Sequence, residues 1–356
     1  MEIIIISPSL NPQLNVSGIS AVTQFIINNN PLVKYIHFEL GRKDNENQGI
    51  NRVFTILKNL KDWTKILRKY PNAYIHYNFP LSKASILRDP LFIYIALLQK
   101  KKILIHVHGG VFLTSPKVPF ILNYILKKIF ALNIPFIVLS ELEKKILQKK
   151  YNCKNIQVLP NCVDLNEATS FKKEFHHDKP LTIGYLGRIA QTKGMDFLIS
   201  SCMQLKEKGI PFTLKIAGKE ENEGEYLNRF NIELGKQFVY EGIVFGESKN
   251  KFLKSLDLFI LPSFFEGLPM SLLECMSYGV VPITTNVGSI SEVVQDEING
   301  LFIHCKDAHS ISEKIIYLHK HRDIINKLSE NAKQTIFDSF SPSSYINNLN
   351  ILYNNL

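Results

Sequence analysis

The feature that most constrains this chain is an alternation repeated along its whole length. Short runs rich in Ile, Val, Phe and Tyr are separated by longer segments whose apolar residues recur at helical spacing. In the first half the strand candidates are 2–7, 35–40, 73–78, 102–109, 136–140 and 156–160. Between them lie helix candidates 19–29, 52–70, 82–99, 119–132 and 141–150. In 52–70 the residues Val53, Ile56, Leu57, Leu60, Ile66 and Leu67 are expected on one buried face, with the lysines outside. The second half restarts the pattern, with strand candidates 181–187, 212–218, 238–242, 258–261, 281–285 and 301–304. Repeated strand–helix alternation implies right-handed crossovers, and so an α/β protein of parallel, doubly wound sheets.

At 356 residues the chain exceeds one ordinary core and fits two domains of roughly 150–180 residues. The polar stretch 166–180, which holds His176, His177 and Asp178 and ends at Pro180, reads as the linker between them. The domains are therefore expected at 1–165 and 181–343, both Rossmann-like and facing each other across a cleft. A last helix at 344–356 is expected to cross back to the first domain. Neighbouring histidines on an extended linker point apart and have no third ligand in view, so they predict no metal site. Five cysteines without a Cys-x-x-Cys pair predict neither a disulfide framework nor zinc, and favour a reducing cytosol. The first residues read as a strand rather than a signal peptide. No window reaches the ~18 apolar residues that a membrane span requires.

Charge is uneven. Residues 1–165 carry 22 Lys and Arg against 9 Asp and Glu, a balance of +13, and the remainder carries 20 against 23. Solubility and a lysine-rich composition are one account of this. The other is docking on anionic lipid headgroups, each nearby cation contributing about 1 kcal/mol. No basic-aromatic nucleic-acid module is present, so nucleic acid is not expected as a partner.

Two stretches of the second half carry charged residues where loops should follow strands. Gly187-Arg188-Ile-Ala-Gln-Thr-Lys193-Gly194 is neither a P-loop nor a dinucleotide fingerprint, because the required glycine order is missing. It offers a guanidinium that can grip a diphosphate in two places and an ammonium as a point charge. Alone it would equally be a solvated loop. Pro262-Ser-Phe-Phe-Glu266-Gly267-Leu268-Pro269-Met270-Ser-Leu-Leu-Glu274 leads from a strand through a turn into a short helix that should stop at Gly279. The backbone N–H groups of Gly267, Leu268, Met270 and Ser271 are expected to make an anion-binding helix start.

Together these stretches resemble the retaining glycosyltransferases of family 4, which have the GT-B fold and use nucleotide-sugar donors. The shared pattern is Gly-Arg-x4-Lys-Gly followed by Glu-Gly-x-Pro-x4-Glu. Further matches are Val158-Leu-Pro-Asn161-Cys-Val-Asp164, Leu139-Ser140 with Lys144 and Leu147, and Gly288-Ser-Ile-Ser-Glu292. The likeness covers the whole second half and, more loosely, the first. It implies that Arg188 and Lys193 hold the donor diphosphate and that Gly267, Leu268 and Met270 cap its phosphates. Glu274 would bind the ribose, backbone near Ile243 and Val244 would meet the base, and Glu266 would face the transferred sugar. In the first half, His108 of Ile105-His106-Val-His108-Gly109-Gly110 resembles the active-site histidine, with a core histidine as the alternative. His76 is a weaker candidate, and Gly18 matches a glycine beside the diphosphate. Cys162 and Ser289 stand where the family has glycine, and Cys162 is expected to restrict a backbone position of positive φ.

The resemblance implies transfer of a hexose or N-acetylhexosamine, with retention, from a nucleotide sugar, expected to be a UDP-sugar, to a lipid-linked glycan acceptor in O-antigen or capsule synthesis. No Asp-x-Asp occurs, so neither a metal nor another cofactor is expected. The expected location is the cytoplasmic face of the plasma membrane, reached through the basic first half. The alternatives are a sugar-nucleotide 2-epimerase of the same fold and an inactive membrane-bound assembly partner.

Overall fold

The computed structural model describes residues 1–356 apart from Pro12, Val16, 42–50, Pro116, His177, Asn222 and Glu223. The chain divides into two compact units, Met1–Asn161 with Ser343–Leu356, and Cys162–Pro342.

The first unit contains β1 (Glu2–Ser7), α1 (Gly18–Asn29), β2 (Lys34–Glu39), α2 (Asn51–Lys69), β3 (Tyr74–Phe79), α3 (Lys83–Leu98) and β4 (Ile103–Val107). These are followed by α4 (Val111–Thr114), α5 (Phe120–Phe130), β5 (Phe136–Val138), α6 (Glu141–Tyr151) and β6 (Ile156–Val158). Its six strands are parallel in the order β2-β1-β3-β4-β5-β6. Strand β1 is Ile3–Ile6 almost without interruption, and those residues are at most 2% exposed. A parallel strand covered on both faces requires such continuous β-branched sequence.

The second unit contains α7 (Asn166–Ser170), β7 (Leu181–Leu186), α8 (Met195–Glu207), β8 (Phe212–Ala217), α9 (Glu225–Leu234), β9 (Phe238–Tyr240) and α10 (Gly246–Lys254). After these come β10 (Leu258–Leu261), α11 (Met270–Ser277), β11 (Val281–Thr285), β12 (Leu301–Ile303), α12 (Ala308–Lys320) and α13 (Arg322–Ser339). The sheet order is β12-β11-β10-β7-β8-β9, again parallel. Both sheets are doubly wound, as the alternation in sequence requires. In the second the strand order reverses between the neighbouring strands β7 and β10, a switch point of the kind at which such sheets bind ligands.

Residues 166–180, read from the sequence as a linker, lie within the second unit. Lys333 of α13 donates to the carbonyls of Ala168 and Phe171, at 2.7 and 2.5 Å, and Ala168 is fully buried. Of the histidine pair, His177 lies outside the described residues. The final helix, α14 (Pro342–Asn354), belongs with the first unit. Asn30 donates to Asn350 at 2.7 Å, and the rings of Phe25 and Tyr345 meet edge-on at 6.1 Å.

One expectation about α2 is corrected. Leu57 is 57% exposed, whereas Leu67 is buried as expected and Trp63, not among the expected residues, centres the buried face. Trp63 has no exposed surface; its indole N–H donates to the Phe92 carbonyl at 2.9 Å and its ring lies 4.9 Å from that of Phe38. An indole can be buried this fully because its one donor is satisfied.

Candidate active site

In the second unit the two motif stretches form adjoining loops at the carboxyl ends of β7 and β10. After β7 the chain passes Gly187 and Arg188, makes a single turn over Gln191–Lys193, and enters α8 at Gly194. Gly194 has φ +77°, and a Cβ there would stand 2.2 Å from the Pro262 carbonyl oxygen. Only glycine permits this conformation and this approach together. The close passage is fixed by a backbone bond from Phe264 N–H to the Thr192 carbonyl, 3.0 Å. It also brings Lys193 Nζ within 2.6 Å of Glu266 Oε1, with the Glu266 side chain only 10% exposed.

The far side of the 262–269 loop is held by the end of β11 and the loop after it. Thr285 donates to the Ser263 carbonyl at 2.6 Å, and Ser289 N–H donates to that of Gly267 at 3.2 Å. Gly288, at φ +58°, passes so near that a Cβ would lie 1.9 Å from the Glu266 carbonyl oxygen. Glu266 is therefore presented by a loop clamped from both sides. Ser289 itself is accommodated, fully buried at φ −92°. Cys162 is also buried and is not among the residues of positive φ, so the restriction expected there does not arise.

Helix α11 begins after Pro269, which caps it without a side-chain hydrogen bond. Its first N–H groups have no acceptors within the helix, and the positive end of its dipole lies beside Gly267 and Leu268. Leu272, Leu273, Cys275 and Met276 bury one face. Glu274 lies outside that face, mostly covered, and its Oε1 takes a hydrogen bond of 2.7 Å from Lys249 Nζ on α10. The carboxylate's charge raises the Lys249 pKa above the usual lysine value. Lys249 stands in a lysine-rich helix, and no spacing in the sequence distinguished it from its neighbours. Val244 lies between β9 and α10, partly buried, and the preceding Gly242 carbonyl accepts from Gly218 N–H at 2.8 Å.

The structure thus brings Lys193 onto Glu266. Arg188, by contrast, sends its guanidinium to Glu221 at 3.1 Å, in a half-exposed pair. A screened surface pair of this kind holds its partners weakly.

The remaining candidates lie in the first unit. Gly18 is exposed at the first position of α1, after Ser17, whose hydroxyl caps the helix by accepting from Ser20 N–H. His108 follows β4 and is partly exposed, with its Nε2 2.6 Å from Asn78 Oδ1. Its ring lies 4.1 Å from that of fully buried His106, whose Nδ1 is 3.2 Å from Nε2 of fully buried His76. Burial lowers the pKa of all three histidines, bringing His76 and His108 to about 3. His108 is therefore neutral near pH 7, an imidazole that can accept or donate one hydrogen bond but carries no positive charge.

Residues 166–335 match the family model described as glycosyl transferases group 1. Among curated relatives, the UDP-Gal:alpha-D-GlcNAc-diphosphoundecaprenol alpha-1,3-galactosyltransferase of Escherichia coli is 26% identical over 263 residues, covering 69% of this chain and 67% of that protein. The chain spans 45% and 41% of the length of the first two curated relatives that it matches. Among solved structures, sucrose-phosphate synthase from Thermosynechococcus elongatus superposes with a TM-score of 0.81 at 17% identity, covering 99% of this chain and 98% of its own. Anabaena HepE, solved in complex with UDP-glucose, gives 0.75 at 14% identity with both chains fully covered. These glycosyltransferase neighbours give the fold its name, GT-B.

Proposed function

Residues 166–335 are a group 1 glycosyl transferase domain, and from that premise we propose that the protein transfers a hexose or N-acetylhexosamine from a UDP-sugar, with retention, to a lipid-linked glycan acceptor during surface-polysaccharide assembly. The observation that carries this reading is the 2.6 Å pair of Lys193 and Glu266 between two loops at the switch point, beside the start of α11. An ammonium and a helix N-terminus converge where ligands of such sheets bind. A diphosphate leaving group develops negative charge as the bond to the sugar breaks. In this reading Lys193 and the N–H groups at Gly267, Leu268 and Met270 stabilise that charge, and Arg188 joins them by turning from Glu221 to the diphosphate. Glu274 takes the ribose hydroxyls, the backbone near Val244 meets the base, and Glu266 faces the transferred sugar. The family resemblance also assigns His108 and Gly18 to the donor. The leaving phosphate assists the acceptor hydroxyl in losing its proton, so neither a protein nucleophile nor a metal is called for.

The donor class follows the UDP-glucose bound by HepE, and the acceptor class follows the diphosphoundecaprenol-linked substrate in the name of the Escherichia coli relative. An acceptor of that kind lies in a membrane, and the first unit has a surface suited to one. Helix α3 carries Leu87, Leu91, Tyr94 and Leu98 exposed along one stripe, and neighbouring α5 exposes Phe120, Ile121 and Tyr124. From Asn51 to Phe130 the only acids are Asp62 and Asp89, whereas Lys83, Lys117, Lys127 and Lys128 lie on or next to these two helices in sequence. Exposed apolar stripes in so basic a segment fit an anionic bilayer. Among the described residues no helix is long and apolar enough to cross one. We place the protein peripherally on the cytoplasmic face of the plasma membrane.

The test is a thermal-shift screen of nucleotide sugars, followed by transfer of the stabilising sugar to polyprenyl-diphosphate-linked acceptors in EDTA. A donor at 100 times its Kd adds about 2.7 kcal/mol of stability. Stabilisation by no nucleotide sugar, or transfer only with added manganese, would overturn the reading. Product formed from the donor alone would reassign the protein as an epimerase.

A further inference from the structure

Behind His108 lies a hydrogen-bond network in which each donor and acceptor can be assigned. Thr23 donates its hydroxyl proton to the Ile19 carbonyl one helical turn earlier, at 2.8 Å. Its oxygen is then left to accept, and Asn78 Nδ2 approaches it at 3.1 Å. The same Nδ2 lies 2.8 Å from the Ile6 carbonyl. A carbonyl can only accept, so this contact fixes which end of the Asn78 amide is nitrogen. Both amide hydrogens are thereby used, one on β1 and one on α1. The amide oxygen faces His108 Nε2 at 2.6 Å and can only accept. Asn78 is 3% exposed, so water does not offer it another arrangement.

We propose that Asn78, oriented by the Ile6 carbonyl and the Thr23 hydroxyl, is a positioning residue that holds His108 as the Nε2–H tautomer and leaves Nδ1 as a lone pair for a hydroxyl of the substrate. The consequence for substrate rests on the reading of His108 as a residue beside the donor sugar. A neutral ring with its only proton tied to Asn78 has none to give, so His108 receives a hydrogen bond from a sugar hydroxyl and is no general acid. The three clustered histidines are not a metal centre either, because His76 Nε2 and His106 Nδ1 are turned on each other at 3.2 Å. Among the described residues no group of three potential ligands converges.

The experiment is long-range proton–nitrogen NMR on protein labelled with 15N in its imidazoles, with His108 assigned by the signal lost in His108→Gln. In the parent protein, His108 should show a protonated Nε2 and a bare Nδ1, unchanged between pH 8 and pH 5.5. A protonated Nδ1, or an imidazolium at pH 7, overturns the proposal without recourse to any variant. Asn78→Leu keeps the volume and removes the acceptor; its His108 should exchange between tautomers, and sugar transfer should show a kcat lower by about tenfold or more with donor KM changed less. Asn78→Asp restores an acceptor and should recover the Nε2–H tautomer. A pure Nε2–H tautomer in Asn78→Leu sinks the positioning role, and a changed tautomer with unchanged kcat sinks its use by substrate. The imidazole readout needs no substrate, so it stands or falls separately from the transferase reading.

Discussion

Lys193 and Glu266 are 73 residues apart and meet at 2.6 Å because two loops are laced together by backbone contacts. The ammonium is thus in place before any ligand arrives, and its orientation does not depend on one. Lys193→Ala should lower donor turnover by roughly 10–150-fold, the equivalent of one charge-assisted contact of about 1.5–3 kcal/mol. Glu266→Gln keeps the shape and should leave nucleotide binding within a few fold while reducing transfer. Steady-state kinetics with the stabilising donor separate the two, and activity within threefold of the parent in both would remove them from the site.

Glu274 and Lys249 form the second internal pair of the second unit's site, at 2.7 Å. If Glu274 receives the ribose hydroxyls, Lys249 serves it by fixing the carboxylate. Glu274→Ala should raise the donor KM, and Lys249→Ala should do so by a smaller factor. The double variant should lose less than the sum of the two. Additive losses in isothermal titration with UDP would show that the lysine acts alone.

Two glycines of positive φ give an internal contrast. Gly209 has φ +68° and open space around its Cβ direction, whereas Gly288 has φ +58° and the Glu266 carbonyl 1.9 Å away. Gly209→Ala should cost about 1–2 kcal/mol from backbone strain alone and leave donor affinity unchanged. Gly288→Ala should cost more and weaken donor binding, because the Glu266 loop must move. Equal effects of the two in chemical denaturation and donor titration would show that the clamp does not matter.

The buried histidines make the first unit acid-sensitive. His76 and His106 titrate far below the 6.5 of a solvated histidine when folded, so the unfolded chain binds more protons between those values. Their stabilising effect is complete above about pH 6.5 and is lost progressively as pH falls below it, at up to about 1.4 kcal/mol per pH unit for each. Asp89 opposes this: burial raises its carboxyl to about 6, which adds stability as pH falls from 6 toward 4. The histidines outnumber it. Denaturation midpoints should fall between pH 7 and pH 5, and His76→Phe should flatten that slope; a midpoint constant over this range would contradict the assignment.

The proposed membrane surface of the first unit can be tested apart from sugar transfer. Leu98 and Phe120 are 82% and 85% exposed, so replacing both with Ser should leave the fold intact. That variant, or Lys127→Glu with Lys128→Glu, should reduce flotation with phosphatidylglycerol vesicles by about tenfold or more, since each lysine near the surface contributes about 1 kcal/mol. Equal flotation with neutral and anionic lipid would remove the lysines from the docking, and flotation with neither would remove the membrane as the occupant of this surface.

The sequence displayed most of the architecture because parallel strands buried on both faces must be continuous apolar runs, as Ile3–Ile6 and Leu258–Leu261 are. The charged loops were legible for a related reason: Gly187, Gly194 and Pro269 punctuate the ends of such runs. What could not be read was pairing across the fold. Lys249 is one lysine among several on α10, and only the packing of α10 beside α11 gives it Glu274. Asn78 resembled any polar residue near a strand end until β1 and α1 supplied its acceptors. Leu57 was misplaced because helical spacing defines a stripe without saying where Trp63 will centre it.

The return of α14 to the first unit bears on the order in which the protein can be made. Tyr353 gives His76 its 2.6 Å hydrogen-bond partner, yet 276 residues separate them, the whole second unit included. On the ribosome, domains fold as units from the N-terminus onward. Here Cys162–Pro342 can close while the earlier unit still lacks its last helix. The half translated first is completed last, and until then a nascent chain exposes the His76 pocket that Tyr353 will fill.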